Sequence, residues 1–299
     1  MADGWIILDK PLTLGSTQGV AAVKRNARTR GLGKAKVGHG GTLDPLATGV
    51  LPIALGEATK LCGRMLDASK TYAFTVVFGA ETDTLDLEGA VIGESPVRPA
   101  RAALDAALAA FTGPIVQVPP AYSALKVDGQ RAYDLARAGE TVELAARNVT
   151  IHALRVLETT GRADALDSAT LEADVSKGTY IRSLARDLAL ALGTRGHVTM
   201  LRRLKAGPFT LDQAISLDKL NEWGQGAPLE NVILPVEAGL VDIPALDLNP
   251  EQAGAVRQGR VLSGLPFPDG LWWARCGGKP VALVMLAGGA LRVERGFNL

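Results

Sequence analysis

The sequence predicts an α+β fold: a mixed, largely antiparallel sheet flanked by helices, followed by a small β-rich C-terminal module. Three observations carry this expectation. Residues 71–78 alternate in period two, with Tyr72, Phe74, Val76 and Phe78 on one side, whereas residues 180–192 carry a helical stripe of Ile181, Leu184, Ala185, Leu188 and Leu192. Strands and helices mix without strict βαβ alternation, which disfavours a doubly wound parallel sheet. Residues 221–244 are rich in Gly, Pro, Asn and short apolar pieces, and so mark a boundary near residue 240.

Taken in order, residues 5–8 read as a short buried strand. Ser16 and Thr17 are expected to cap a helix running to about residue 28, with Val20, Val23 and Ala27 turned inward. A glycine-rich loop follows, then an apolar strand over 50–55 and a helix over 57–66. After the 71–78 strand come an alanine-rich helix over 101–111, a shorter one over 134–138, and strands over 149–157 and 170–175. Beyond the boundary lie a helix over 250–257 and strands at Trp272, 281–286 and 291–294, joined by glycine turns. A module of about 60 residues is small for independent folding and is expected to pack on the rest.

Composition narrows the class. With 47% hydrophobic and 21% charged residues, the 299-residue chain has an ordered globular character and a sizeable core. Cys62 and Cys276 lie far apart in sequence, so a disulfide framework is not expected and a reducing compartment is the simpler setting. Residues 1–10 lack the basic start of a signal peptide, and the longest apolar run, 281–291, contains two glycines and is too short for a membrane span. A cytoplasmic protein with no membrane partner is expected.

The net charge of +1 conceals an uneven distribution. Lys10, Lys24, Arg25, Arg28, Arg30, Lys34 and Lys36 come before Asp44 without an intervening acid after Asp9, and Lys177, Arg182, Arg186, Arg195, Arg202, Arg203 and Lys205 are interrupted only by Asp187. Acids gather elsewhere, at Glu81, Asp83, Asp86, Glu88 and Glu94. Such separation fits a basic face that tracks phosphates, and equally two solvated charged faces.

Directly after the first basic stretch stands the segment from Gly38 to Pro52, Gly-His-Gly-Gly-Thr-Leu-Asp-Pro-Leu-Ala-Thr-Gly-Val-Leu-Pro, whose one carboxylate is Asp44. Its glycines permit close approach to a ligand, and Pro45 biases Asp44 toward an extended backbone. No dinucleotide fingerprint, Walker-A sequence or Gly-x-Ser-x-Gly elbow occurs. His39, His152 and His197 are scattered, and neither cysteine stands near one, so no metal ligand set is visible. Single-carboxylate chemistry at Asp44 remains, alongside a structural turn or cap role for the same residue.

These residues resemble the catalytic signature of the bacterial TruB family, the tRNA pseudouridine-55 synthases. Further blocks agree in order: Gly4-Trp5-Ile6-Ile7-Leu8-Asp9-Lys10-Pro11; Lys70-Thr71-Tyr72 followed by Gly79 to Asp86; Pro119 to Lys126 with Tyr133 and Ala136-Arg137; Gly178-Thr179-Tyr180-Ile181-Arg182; and Leu201-Arg202-Arg203. The likeness covers about residues 4–210. Residues 257–261 and 289–297 resemble, more weakly, a PUA RNA-binding module.

The resemblance implies a pseudouridine synthase fold with a catalytic domain over 1–238, a thumb-loop region at about 117–147, and a PUA-like domain over 239–299. It implies isomerisation of uridine 55 in the TΨC loop of tRNA, by N-glycosidic cleavage, base rotation and rejoining through carbon 5, without cofactor or metal. The substrate base must then be flipped out of its stack. Asp44 aligns with the catalytic aspartate, acting on the ribose, as a base adduct, or on a glycal-like intermediate. Tyr72 aligns with the stacking tyrosine, and Arg182 with the arginine that pairs with the carboxylate. Arg182 also stands in the first turn of its helix, where the macrodipole disfavours a cation, so a docked carboxylate would offset that cost. His39 aligns with the histidine that replaces the flipped base, and Leu201 with an apolar residue beneath it. Lys10, Arg202, Arg203, Tyr180 and Lys126 complete the expected RNA-binding set. The tRNA TΨC stem-loop is the expected partner, with no obligate protein partner. The competing readings are a tRNA-binding folding chaperone with secondary catalysis, and a guide-RNA-dependent relative.

Overall fold

A computed structural model describes residues 2–127, 129–140, 142–228 and 232–299. The chain forms two compact units, one of Met1–Asp44, Val50–Leu66 and Ala206–Leu299, the other of Pro45–Gly49 and Asp67–Lys205. The first begins with β1 (Gly4–Lys10), whose Trp5, Ile6, Ile7 and Leu8 are buried, the continuous apolar run of a strand covered on both faces. Helix α1 (Ser16–Thr29) follows. Its N-cap is Gly15, whose N–H donates to Gln18 Oε1 at 2.7 Å, and not Ser16 or Thr17. Ser16 lies inside the helix at its first residue, and its buried hydroxyl is engaged elsewhere, by both backbone groups of Leu43. The short β2 (Val37–His39) pairs antiparallel with β3 (Ala47–Leu55), which also neighbours β1. The helix expected over 57–66 is a 3-10 segment, Gly56–Leu61, followed by α2 (Cys62–Asp67).

The second unit is built on β4 (Lys70–Phe78), with a small hairpin of β5 (Ala80–Thr82) and β6 (Val91–Glu94). Helix α3 (Arg101–Ala110) leads to β7 (Gly113–Gln117), then to β8 (Lys126–Val127), β9 (Gln130–Arg131) and α4 (Ala132–Arg137). The long β10 (Arg147–Arg162) pairs antiparallel with β7 and with β11 (Ala165–Val175), and β11 pairs antiparallel with β4. Helix α5 (Ile181–Ala191) buries Ile181, Leu184, Ala185 and Leu188 in a core with Phe74, Val76, Leu171 and Val198. Complete burial of each such leucine contributes about 1.5–3 kcal/mol. The strand order is β12-β4-β11-β10-β7, where β12 (Gly196–Ala206) carries Leu201, Arg202 and Arg203. No strand was expected there, because the cations break the period-two apolar pattern after Val198.

The chain then returns to the first unit through β13 (Phe209–Thr210) and α6 (Leu217–Gly224), whose Ser216 accepts from Lys219 N–H. Its last part is a sheet in the order β14 (Ala245–Asp247), β15 (Gly270–Cys276), β16 (Lys279–Ala287) and β17 (Ala290–Gly296), with α7 (Pro250–Arg257) capped by Asn249 and Gln252. The β14–β15 pair is parallel and the others antiparallel. Leu246, Val256, Val284 and Leu291 form the core of this sheet, while Trp273, Leu283 and Phe297 join Trp5, Phe209 and Ile243 in a second cluster. No helix among the described residues is long and apolar enough to cross a membrane.

Candidate functional site

The loop that carries Asp44 is fixed from both sides. Upstream, His39 pairs with Ile53 in the β2–β3 ladder, and Gly40 N–H donates to Pro52 O at 2.9 Å. Gly41 N–H donates to His39 Nδ1 at 3.3 Å, so a neutral ring carries its proton on Nε2. Immediately before Asp44, Ser16 Oγ accepts from Leu43 N–H at 2.8 Å and donates to Leu43 O at 2.9 Å. Both backbone groups of a buried residue are thereby satisfied by one side chain from α1. Asp44 itself is half-buried. The clasp fixes the backbone from which the Asp44 side chain departs.

In the second unit, Ala47–Gly49 run parallel to Leu201–Arg203. Gly49 has φ +101°, and a Cβ there would lie 2.2 Å from Arg203 O, so only glycine lets this segment approach β12. Arg202 Nη1 donates to Thr48 Oγ1 at 3.3 Å, and Arg203 is buried. Tyr72, opposite Ala173 in the β4–β11 ladder, and Leu201 on neighbouring β12 are both partly buried against the core that α5 covers.

Arg182 is the centre of a buried polar cluster. Only 5% exposed, it donates from Nη1 to Thr84 O at 2.7 Å and from Nη2 to Tyr122 O at 2.9 Å, and it lies 3.5 Å from Asp86 Oδ2. Asp86 is itself buried; it accepts from Thr84 Oγ1 and from Glu88 N–H. Between Thr84 and Asp86, Leu85 has φ +64°, uncommon for a side chain larger than glycine, and it shapes the turn that presents both partners. The carboxylate of Asp86 thus faces Arg182 in the first turn of α5, where the positive helix end disfavours a bare cation. Asp86 was legible only as one of several acids, since nothing local links it to Arg182.

The start of α5 is fixed by β7. Gln117, fully buried, accepts from Tyr180 N–H at 2.8 Å and donates to Tyr180 O at 3.1 Å, while Ser183 Oγ donates to Val118 O at 2.8 Å. Arg147 stacks 4.8 Å over the Tyr180 ring. Gln117 carried no sequence signal beyond being polar at the end of an apolar strand. In the expected thumb-loop region, Tyr122 meets Tyr133 edge to face and donates to Asp83 Oδ2 at 3.3 Å, and Arg137 lies 4.8 Å over Tyr133. Burial, then the Asp83 carboxylate, push the Tyr122 phenol upward. Lys126 is exposed on β8; residues 128 and 141 of this region lie outside the described ones.

Two lysines depart from the picture of exposed cations. Lys10 is buried, and its ammonium donates to Pro11 O and Leu14 O, bracing the turn into α1. Lys70 is buried at the start of β4 beside Ala68 O; burial, with the nearby Arg203 charge, pulls its ammonium down to about 8. No three His, Cys, Asp or Glu side chains among the described residues gather to hold a metal ion.

Comparison with known proteins gives concordant matches. Residues 29–181 match the TruB family pseudouridylate synthase (N terminal domain), and residues 182–241 match the tRNA pseudouridylate synthase B C-terminal domain. The chain is 75% identical over 299 residues to the tRNA pseudouridine synthase B of Novosphingobium aromaticivorans, covering 100% of this chain and 98% of that one. It is 57% identical to the protein of that name in Zymomonas mobilis, covering 99% and 96%. Among solved structures, a chain of a Cbf5–Nop10–Gar1 complex is similar with a TM-score of 0.73 at 27% identity, over 98% of this chain and 84% of that one.

Proposed function

The chain belongs to the TruB family of pseudouridylate synthases, and from that premise we propose that it isomerises uridine 55 in the TΨC loop of tRNA. The observation that carries the assignment to a site is the clasped loop: Asp44 follows a residue whose two backbone groups are both held by Ser16. In this reading the uridine is flipped from its stack, at a cost of roughly a few kcal/mol. The Asp44 carboxylate acts on the flipped nucleotide while the bond from N1 to the ribose breaks. The base then turns and rejoins through carbon 5, which releases its proton as N1 gains one. Tyr72 stacks on the base and Leu201 supports it from below. His39 fills the gap left in the loop. Arg182, backed by Asp86, supplies positive charge at the carboxylate. Lys10 keeps the turn before α1 in shape; Arg202, Arg203, Tyr180 and Lys126 serve the RNA, with Arg203 as pocket wall.

We assign residues 1–238 to the catalytic domain, with the thumb loop at about 117–147, and residues 239–299 to a PUA-like RNA-binding domain. The substrate partner is tRNA alone, and the setting is the cytoplasm. Tritium release from 5-tritiated uridine in tRNA, set beside tRNA binding, tests the assignment. Asp44→Asn is expected to abolish release and retain binding; full turnover by this variant would refute the role of Asp44. A second reading, action within an RNA–protein assembly, draws on the likeness to a chain solved with Nop10 and Gar1. Modification of a bare TΨC stem-loop transcript by the isolated chain excludes it.

A further inference from the structure

Helix α1 ends in a tight reversal that turns a charge run into a site. Gly31 N–H donates to Arg28 O at 3.0 Å and Leu32 N–H to Ala27 O at 3.1 Å, the paired bonds of a Schellman motif. Gly31 and Gly33 have φ +76° and +75°, conformations that suit glycine, and the chain is thereby sent back along the helix it has just left. Between helix and returning segment lies an open cavity of about 230 Å³, lined by Lys24 and Arg28 from successive turns of α1 and by Lys34 from the loop. The remaining lining is small or apolar, with Ala27, Gly33 and Val37, so the three cations supply its charge.

This is more than a solvated basic face. Lys24 and Arg28 are spaced i and i+4, where like charges repel, and Lys34 is brought to the same opening rather than away from it. Among the described residues no carboxylate is ion-paired with any of the three. Lys36, next in the run, acts instead on Glu57 and Cys62. Three exposed, unneutralised cations lining one small-walled opening fit a group with several anionic oxygens.

We propose that Lys24, Arg28 and Lys34 form a phosphate-binding site for the RNA backbone of the tRNA substrate. The inference rests on the chain's acting on tRNA and adds a contact outside the loop that carries Asp44. An arginine there can fork two phosphate oxygens, while the lysines act as point charges on the same or the adjoining phosphate. Such contacts carry no base preference and make binding steeply salt-dependent.

The test uses the full chain with Lys24, Arg28 and Lys34 all replaced by Gln, compared with the unaltered chain and with a charge-retaining Lys24→Arg, Lys34→Arg variant. Filter binding to tRNA is measured across a potassium chloride series. The Gln variant is expected to bind about ten-fold more weakly at moderate salt, with its log–log salt slope reduced by about two to three, and the Arg variant is expected to bind as the unaltered chain does. Unchanged affinity and slope in the Gln variant would overturn the proposal. So would calorimetric binding of inorganic phosphate that the Gln variant loses while its tRNA affinity stays intact, since the site would then serve a free anion. Pseudouridine formation by the unaltered chain is scored separately. Its absence refutes the tRNA-modifying reading, whereas its presence beside an unchanged Gln variant refutes this site alone.

Discussion

At the scale of single residues, the chain spends burial on charge. Arg182 is one instance: a guanidinium in the first turn of a helix, inside the protein, tolerated because two carbonyls and the Asp86 carboxylate surround it. Asp86→Asn keeps Oδ1 as the acceptor for Glu88 N–H and Thr84 Oγ1, and replaces the charged oxygen facing Arg182 by a neutral NH2 donor. It is expected to lower the free energy of unfolding by about 3 kcal/mol in a urea titration, and a loss under about 1 kcal/mol would show that the carbonyls suffice. Lys70 is the second instance, with the opposite sign. Its ammonium titrates near 8 in the folded chain but near its ordinary value of 10.5 when unfolded. Below pH 8 both states are protonated, and the folded state carries the full cost of burying the charge. Between about 8 and 10.5 only the unfolded state holds the proton, so stability rises with pH across that window. Lys70→Met is expected to stabilise the chain at pH 7 by about 1–3 kcal/mol and to flatten the rise. Denaturant titrations at pH 7 and 9.5 check it, and a rise that survives in the variant would assign it to other groups. The sequence made Arg182 conspicuous through its clash with the helix dipole. It made Lys70 look like an ordinary strand-end lysine, because burial is a property of the fold.

At the scale of elements, what the site requires is a fixed start to α5, and Gln117 provides it from β7. Its amide meets both the N–H and the C=O of Tyr180, two residues before Arg182. Replacing it with Glu keeps the acceptor for Tyr180 N–H and sets a carboxylate against Tyr180 O, whereas Gln117→Ala removes both bonds. Both variants are expected to destabilise the chain by about 1–3 kcal/mol. Both are expected to slow single-turnover pseudouridine formation while changing tRNA affinity less than two-fold. Equal losses in rate and affinity would mean that the clasp serves RNA binding and not the placement of Arg182. Elements with one clean period were legible: the Tyr72 strand and the α5 stripe were read within a few residues of their ends. Elements whose cause is tertiary were not. β12 is a strand despite Arg202 and Arg203, because Ala47–Gly49 and β4 pair with it. Ser16 looks like a helix cap in any local reading, yet its hydroxyl is committed to Leu43, far along the chain.

For the whole molecule, the order of the chain and the order of its packing differ. Residues 1–44, 50–66 and 206–299 make one compact unit although a long stretch of sequence separates them. The loop motif, the Tyr72 strand and the Arg182 helix were legible as separate blocks, but which blocks share a core is set by long-range packing that composition does not record. The C-terminal sheet shows the consequence. A composition break near residue 240 reads as the edge of a small module expected to pack on the rest, and the sheet has a core of its own around Leu246, Val284 and Leu291. Yet Trp273, Leu283 and Phe297 are buried in the cluster that holds Trp5 and Phe209, and Trp5 Nε1 donates to Val236 O. Strands β15 and β16 therefore cannot open without exposing the neighbours of β1. Native-state hydrogen exchange is expected to give β1, β15 and β16 opening free energies within about 1 kcal/mol of one another, as one cooperative unit. Exchange of β15 and β16 at distinctly lower free energy, with β1 still protected, would mean that the shared cluster is too weak to couple them and that residues 239–299 open on their own.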